Sequence, residues 1–491
     1  MKKILISCCL LVLSISLFVG CDFFDFIFGL RYVGTVDEFL AAVEDDECET
    51  IILTADLDFS GYEWPSISDL ELEGDGHAIK NVYIEQADGD NVGMFPSGED
   101  VSIRMSDVTI ENLIVNYYGT GSNIGGLIGS IIDSGTGNSQ LSLRNVKITG
   151  KVYAPSANNV GGVIGCVSGD TYSTGTQYYS YLTDVESNVE VIGNRYVGGV
   201  VGKIGYAEAK DSFFDQVMGN SGTEYSKYGA VKLENVTNKG SVTANGSYAG
   251  GIAGAFYATY DRIENCKNYG TVKATTDVGG LFGIAVVYNI NNSSNEGFIT
   301  TKNAEPFDAV YVGGIAGVLY TKNQSKNLKN SGNVESTGGC VGGIAGFLDT
   351  TSLLDCTNTG KISGGQKCGG ISGGDLNASY LMCKNEGEIV GTSWYVGGIS
   401  GFSTDGFFNM CTNTANVTGD TSVGGIIGQC AISEEGEATV AGSTNSGNIK
   451  AHGCAAGIVG RGNPLKIGDI DTNTNTGEID GLSTDEIISL G

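Results

Sequence analysis

The segment Val341-Gly342-Gly343-Ile344-Ala345-Gly346 contains the short pattern that decides the fold of this chain. Two glycines, or Ala-Gly, are followed by an aliphatic residue, a variable residue and another glycine. A repeat this regular indicates a solenoid, because each unit can bury its apolar face only against the next copy. The pattern, called the glycine cassette below, occurs eleven times, with its first residue at Gly125, Gly161, Gly198, Gly250, Gly279, Gly313, Gly342, Gly369, Gly397, Gly424 and Ala456.

The spacing of the cassettes predicts β-strands stacked in coils. Consecutive cassettes start 27–29 residues apart in the regular part of the array, longer gaps mark insertions, and helical periodicity is absent. These features predict an all-β chain, a parallel β-helix of about a dozen rungs that is about 60 Å long at a strand spacing of about 4.8 Å. A β-propeller is the alternative, but its blades usually need about 40 residues or more.

Each regular unit also contains an Asn-x-Gly turn. We expect these asparagines to form a corner of the coil, with their amides hydrogen-bonded from rung to rung. The aliphatic residue of the cassette and the residue before the cassette can both face the core only if the chain bends at the glycine pair, and we expect glycine to allow this bend through positive φ. The turns begin at Asn238, Asn268, Asn295, Asn330, Asn358, Asn385, Asn445 and Asn475, with Asn413-Thr414-Ala415 as an imperfect copy.

Four cysteines occupy one position of the repeat, two residues before the asparagine. Other copies have valine, leucine or serine there, which indicates a buried slot for small side chains. We therefore favour free thiols. A disulfide between stacked copies is feasible in distance but would be strained, because the side chains leave the backbone in parallel directions. The four are Cys266, Cys356, Cys383 and Cys411.

Residues 1–20 have the layout of a secretory signal peptide, with Lys2 and Lys3 before an apolar stretch. The end of this stretch resembles the lipobox of bacterial lipoproteins, which implies cleavage before Cys21 and acylation of that cysteine. Residues 21–34 would then be a lipidated juxtamembrane segment, and the partner would be a membrane of the bacterial cell envelope, the outer membrane or cell surface. An ordinary cleaved signal is the alternative.

The remaining chain divides into three parts. Residues 35–120 are predicted to form an N-terminal cap and the first rungs, because Thr35 and Glu38 form a capping box before a short apolar helix. Strands are expected at residues 50–54, 79–84, 101–105 and 109–115. Residues 121–480 carry the cassettes, with insertions at 166–196 and 203–232, and residues 481–491 form the C-terminal end.

The sequence gives little sign of catalysis, metal binding or a cofactor. The 27 basic and 56 acidic residues give a net charge of −29, which opposes nucleic-acid binding. With only two histidines, His77 and His452, a zinc-protease motif and a catalytic triad are excluded. Asp56 and Asp58 are interpreted as structural. Calcium at residues 88–90 or 469–471 lacks the full loop spacing.

The insertions are the candidate region for binding, because tyrosine and phenylalanine side chains suit sugars or protein partners. The alternative is that these side chains fold back and shield the rod. A second row, Tyr196, Tyr248, Tyr311 and Tyr395, is interpreted as partly exposed and is not predicted to be a site. The candidate ligand-binding residues are Tyr178, Tyr179, Tyr181, Tyr206, Phe213, Phe214, Tyr225 and Tyr228.

The cassettes resemble the GLUG-motif repeats of bacterial cell-surface and secreted proteins, in copies such as Val278-Gly279-Gly280-Leu281-Phe282-Gly283. The resemblance covers residues 124–480, although the second half of the unit reads Cys-x-Asn-x-Gly instead of Asn-Ser-Tyr. It implies an adhesin-like surface role. The sequence thus favours a non-enzymatic surface lipoprotein that binds a glycan or a protein. A passive spacer is the second hypothesis, and a polysaccharide-processing enzyme, which would need acids on adjacent rungs, is the third.

Overall fold

The computed structural model describes residues 29–67, 69–99, 102–133, 140–169, 180–205, 231–302, 304–305, 309–434, 436–462 and 467–482. Every strand pairing in these ranges is parallel and joins a strand to its counterpart in another rung, as Val341 pairs with Cys368. The eleven strands that follow the cassettes form, together with Phe95–Glu99, a stack of twelve. The prediction of a parallel β-helix with about a dozen rungs is confirmed.

A regular rung contains five short strands, as in Cys340–Gly342, Ala345–Asp349, Ser352–Leu354, Thr357–Asn358 and Ile362–Gly364. They belong to five rows that run along the rod, named here the leading, following, third, asparagine and fifth rows. A strand of the leading row ends at the first residue of the cassette, and a strand of the following row begins at the fourth residue of the cassette. Each row stacks in register on the same row of the next rung.

The strands of the leading row are Ser122–Gly125, Asn158–Gly161, Arg195–Gly198, Ser247–Gly250, Thr276–Gly279, Tyr311–Gly313, Cys340–Gly342, Lys367–Gly369, Trp394–Gly397 and Thr421–Gly424. Those of the following row are Phe95–Glu99, Ile128–Asp133, Ile164–Gly169, Val201–Ile204, Ala253–Glu264, Phe282–Asn291, Ala316–Thr321, Ala345–Asp349, Ser372–Leu376, Ser400–Thr404, Ile427–Ala431 and Val459–Arg461. The third row consists of Ser180–Thr183, Val231–Glu234, Ser325–Lys326, Ser352–Leu354, Ser379–Leu381, Phe407–Asn409, Ala438–Ala441 and Ile467–Gly468.

The asparagine row consists of Thr237–Asn238, Lys267–Asn268, Ser294–Asn295, Lys329–Asn330, Thr357–Asn358, Lys384–Asn385, Thr412–Asn413, Thr444–Asn445 and Thr474–Asn475. The fifth row consists of Val242–Ala244, Val272–Ala274, Ile299–Thr301, Val334–Glu335, Ile362–Gly364, Ile389–Gly391, Val417–Gly419 and Ile479–Leu482. Longer strands span several rows in Ser102–Tyr117, Gln140–Tyr153, Glu186–Gly193 and Ile449–Ala456, and a 3₁₀ turn lies at Ile470–Thr472.

The N-terminal cap contains the helix Val36–Val43, which begins as predicted. The backbone N–H of Glu38 donates to Thr35 Oγ1 at 3.2 Å, and the Glu38 carboxylate accepts from the Thr35 N–H at 3.0 Å. Phe39 is fully buried and packs edge-on against Phe59, so the helix closes this end of the core. The other strands of the cap are Leu30–Val33, Thr50–Leu53, Leu57–Asp58, Leu70–Glu73, Ala78–Lys80 and Tyr83–Gln86.

Several predicted boundaries differ from the structure. The strand expected at 79–84 is two strands, because Asn81 adopts a φ of 60° and breaks the extended backbone. The strands expected at 101–105 and 109–115 are one. Residues 30–33, placed in the juxtamembrane segment, already pair with residues 50–53. Residues 180–193, placed in the first insertion, form regular rung strands, as do 203–204 and 231–232 at the edges of the second.

The glycine pair lies at a corner of the coil as predicted, but the predicted reason is wrong. None of the cassette glycines has positive φ; the left-handed residue is the one two positions before the cassette in most copies, as at Tyr196 (φ 55°) and Tyr248 (φ 64°). The glycines are needed for space. A Cβ on Gly280 would lie 2.0 Å from the carbonyl oxygen of Gly314 in the next rung. The fourth cassette residue is also buried in every copy, so it is not a free position.

The asparagines form the predicted ladder through the interior. Asn238 Nδ2 donates to Asn268 Oδ1 at 2.8 Å, and the same bond recurs at 2.7–2.8 Å along the row to Asn475. Each Nδ2 also donates to the carbonyl two residues later in its own turn, at 2.9 Å in Asn358. Asn413 takes part although Ala415 replaces the glycine, because its Nδ2 donates to the backbone carbonyl of Ala415, at 2.9 Å, and any residue supplies that carbonyl.

The cysteine slot is buried as predicted. Cys266, Cys356 and Cys411 have no exposed surface, and neither do Val236 and Leu328 in the same position of other rungs. The ten cysteines in the described part of the chain are all free thiols. Burial raises the pKa of the Cys266 thiol to about 12, so this thiol is neutral and its sulfur packs as an apolar atom.

Candidate binding surface

The candidate site predicted on the insertions falls almost wholly outside the described residues. Tyr178, Tyr179, Tyr206, Phe213, Phe214, Tyr225 and Tyr228 lie there, as does the lipidation candidate Cys21. Tyr181 is described: it lies in the third row between Ser142 and Lys232, and its side chain is 41% exposed. The insertion site therefore stays a prediction.

A different set of aromatic side chains meets on the outside of the rod. Tyr311 of the leading row packs on Phe347 of the following row, with ring centres 5.6 Å apart, and Tyr395 packs on Phe402 at 5.4 Å. Outward side chains of two rows can touch across the glycine corner only if the outer surface is concave there. This surface, called the aromatic face, consists of Tyr196, Tyr248, Tyr257, Tyr311, Tyr320, Phe347, Tyr395 and Phe402.

The aromatic face covers a second hydrophobic cluster that is separate from the core of the rod. Ala255, Ile284 and Val318 stack outward on three consecutive rungs and are 0–1% exposed. Partly buried tyrosines, among them Tyr248 and Tyr311, pack against them. These tyrosines were not predicted to form a site. A usable signal was the continuous apolar run at residues 284–287, because a strand that is apolar on both faces is typical of a sheet covered on both sides.

Cations lie over the rings of the aromatic face. Tyr196 and Tyr248 stack with ring centres 4.9 Å apart, and the guanidinium carbon of Arg195 is 4.7 Å and 5.2 Å from the two centres. The Lys203 ammonium is 5.2 Å from the Tyr196 ring, and burial lowers the pKa of this lysine. Such cation–π contacts contribute roughly 0.5–2 kcal/mol each, so they fix the cations on the face.

One carboxyl group lies within the tyrosine row. Asp277 stacks between Tyr248 and Tyr311 and is 9% exposed, and Thr276 Oγ1 donates to its Oδ2 at 2.9 Å. Burial raises the pKa of Asp277 to about 7, opposed by the Thr276 hydrogen bond and by the charge of Arg195. The carboxyl is therefore partly protonated near neutral pH, and the cations dominate the charge of the face.

A second carboxyl group is sealed inside the rod. Asp375 accepts hydrogen bonds from Tyr380 Oη, Ser400 Oγ and Ser403 Oγ, each at 2.7 Å, and is 1% exposed. Burial raises its pKa to about 6, and the hydroxyl donors oppose this shift. Although hydroxyl and carboxyl groups are in contact, no substrate can reach them, so this network is structural.

The Asp375 network makes stability depend on pH. The pKa in the folded state, about 6, lies above the ordinary 3.8, so the stabilising contribution is complete below about pH 3.8 and is lost as the pH rises through 6. Asp375→Asn is expected to raise the free energy of unfolding by up to roughly 3 kcal/mol at pH 7.5 and to change it little at pH 4. Denaturant titrations of both proteins at both pH values measure this, and an equal effect at the two values would contradict it.

Other acids considered in the sequence have structural partners. Asp56 pairs with Lys80 at 2.8 Å, and this contact lowers the pKa of Asp56. Hydrogen bonds from Asn81 and Ser60 lower the pKa of Asp58 to about 2. Within the described ranges, no three His, Cys, Asp or Glu side chains are grouped as a metal site would require. No described helix is long and apolar enough to cross a membrane.

Comparison with known proteins gives two family matches. Residues 337–363 match the GLUG motif, which confirms the resemblance for that copy of the repeat. Residues 30–154 match a pectate lyase-like adhesive domain, which the sequence analysis did not identify. The two matches cover different parts of one continuous β-helix.

Individual proteins show more limited likeness. Halomucin of Haloquadratum walsbyi is 42% identical over 95 residues, which is 19% of this chain and 1% of halomucin. A crystal structure of a candidate immunoglobulin A1 protease from Bacteroides ovatus matches 73% of this chain and 76% of its own, with 15% identity and a TM-score of 0.28.

Proposed function

We propose that this chain is a non-catalytic, adhesin-like binding module of the bacterial cell surface, anchored through lipid on Cys21, and that it holds its ligand on the aromatic face. The adhesive-domain match at residues 30–154 and the GLUG match at 337–363 support a surface role. The observation that carries the proposal is the aromatic face itself, an outward row of tyrosines next to cations.

The physical properties of the face suit binding. Tyrosine rings offer rigid apolar area together with a hydroxyl group, and they lose little conformational entropy when a ligand covers them. Tyr196, Tyr248, Tyr311 and Tyr395 are held by packing on the following row, yet all four keep part of their surface exposed. Because the rungs are stacked in register, the face is preorganised, which reduces the cost of binding.

Binding without catalysis fits the placement of Asp277 on the aromatic face and of Asp375 in the core. Glycoside hydrolysis typically needs two carboxyl groups about 5–10 Å apart on either side of the scissile bond. The neighbours of Asp277 in the leading row are Tyr248 and Tyr311, so the adjacent rungs do not supply a second acid in its row. Asp375 is sealed in the core.

The proposal predicts that the double variant Tyr248→Ala/Tyr311→Ala loses ligand affinity by at least about tenfold, the scale of a few lost ring contacts. The full chain in mild detergent would be screened on arrays of glycans and extracellular-matrix proteins. Tyr269→Ala is the matched control, because Tyr269 is 42% exposed on the asparagine turn and lies off the aromatic face.

A variant without residues 206–228 separates this site from the one predicted on the insertion. Binding that depends on the insertion and not on Tyr248 and Tyr311 would move the site there. If no folded form of the chain binds any probe saturably, the passive spacer is the better description.

A further inference from the structure

Most cations of this acidic chain with a described partner are neutralised by a neighbouring carboxylate. Examples are Lys80 with Asp56 at 2.8 Å, Lys239 with Glu186 at 2.7 Å and Lys361 with Glu388 at 2.8 Å. With 56 acidic and 27 basic residues in the chain, a carboxylate is the commonest described partner of a cation, although Arg262 is also held over a ring, that of Tyr288, outside the aromatic face. A cation held without a carboxylate is therefore informative.

Arg195 and Lys367 are held on the aromatic face by rings. Among the described residues, neither is in an ion pair, although the charge of Arg195 acts on the Asp277 carboxyl group and lowers its pKa against the effect of burial. Arg195 lies over Tyr196 and Tyr248, and the Lys367 ammonium is 4.5 Å from the Phe402 ring centre. An aromatic ring attracts a cation without cancelling its charge or using its N–H donors in a strong hydrogen bond. Arg195 also hydrogen-bonds the Tyr248 side chain, but a guanidinium has five N–H donors, so both cations remain able to bind an anion.

The two cations are also far apart along the same face. The strands Arg195–Gly198 and Lys367–Gly369 are five rungs apart in the leading row, which is about 24 Å at a spacing of about 4.8 Å per rung. Tyr248 and Tyr311 lie between them. A ligand that meets both cations must be long, must carry negative charge at intervals and must present apolar surface to the tyrosine rings.

We propose that the ligand of the aromatic face is an acidic glycan, a chain of sugars bearing carboxylate or sulfate groups that lies along the rod axis. Its charged groups meet Arg195 and Lys367, and the C–H faces of its rings pack on the tyrosines between them. The inference rests on the proposed binding role of the face and adds the charge class and the direction of the ligand.

The test measures binding of alginate, hyaluronan and polysialic acid to the full chain, beside dextran and mannan as neutral probes, at low and near-physiological salt. We expect binding of the acidic probes, weakened by salt because screening acts on exposed charges. Arg195→Gln/Lys367→Gln should weaken it by at least about tenfold, the scale of one or two charge-assisted contacts.

Lys239→Gln/Lys361→Gln is the matched control, because it removes two cations that carboxylates already neutralise. It should leave the affinity within about twofold of the wild type. If both double variants weakened binding equally, the loss of affinity would reflect the net charge of the protein and not these two positions, and the proposal would be overturned. Tyrosine-dependent binding of neutral glycans or of proteins alone would keep the proposed function and overturn the acidic ligand. Binding of none of these glycans would overturn the acidic ligand, and the proposed function would be overturned only if the matrix proteins of the arrays did not bind either.

Discussion

Gly280→Ala is expected to lower the free energy of unfolding by at least about 3 kcal/mol, although it adds a single methyl group. The new Cβ would lie 2.0 Å from the carbonyl oxygen of Gly314 and 2.4 Å from Cγ of Asn295. Gly314 lies in the next rung and Asn295 in the same rung, and both are themselves hydrogen-bonded, so the strain cannot relax locally in a close-packed interior. The midpoint of denaturant unfolding, followed by circular dichroism, measures the loss.

Gly76→Ala separates the steric cause from backbone strain. Gly76 has a φ of 85°, and a Cβ there would have nothing within 4 Å. The variant should cost only about 1–2 kcal/mol, the usual penalty of a side chain in the left-handed region. If Gly76→Ala proved as damaging as Gly280→Ala, close approach would not be the reason for glycine in the cassette.

Asn358→Ala is expected to destabilise the protein by about 3–5 kcal/mol, because it breaks the buried ladder at its middle. Asn358 receives a hydrogen bond from Asn330 and donates to Asn385 and to the Gly360 carbonyl, each at 2.8–2.9 Å. Alanine leaves the Asn385 oxygen and the Gly360 carbonyl without this donor in a site closed to solvent. Chemical unfolding measures the effect on stability.

The last asparagine of the ladder is the control. Asn475 is only partly buried, receives one bond from Asn445 at 2.7 Å and donates to the Gly477 carbonyl at 3.0 Å. Asn475→Ala should therefore cost about 1 kcal/mol, since water can replace what is lost. Equal costs at Asn358 and Asn475 would show that position in the ladder does not matter.

The architecture could be predicted because every repeat buries the same positions against the neighbouring repeats. The aliphatic residue of each cassette, such as Ile344, and the asparagine of each turn, such as Asn358, are buried against their own copies, so burial appears in the sequence as a period. The role of the cassette glycines could not be read in the same way. A glycine required for positive φ and one required for space look identical in a sequence, and only the distance from Gly280 to the next rung distinguishes them.

The aromatic face was missed for a different reason. Its tyrosine row is interrupted by Asp277, Cys340 and Lys367, so it has no clean period. Its contacts join two rows across the glycine corner, as between Tyr311 and Phe347, which are 36 residues apart and in neighbouring rungs. Sequence spacing within one row does not reveal which rows meet on the outside of a bend.

The in-register stacking of the rungs has a consequence for how such a protein can vary. Duplicating a unit of 27 residues, such as the one that begins at Gly342, lengthens the rod by about 4.8 Å. The added rung contacts its two neighbours through the same surfaces that the original rungs use. Length is thereby uncoupled from packing. Gain or loss of copies on the N-terminal side of the aromatic face would change the distance between that face and the N-terminal end of the rod. The number of copies can therefore determine this distance.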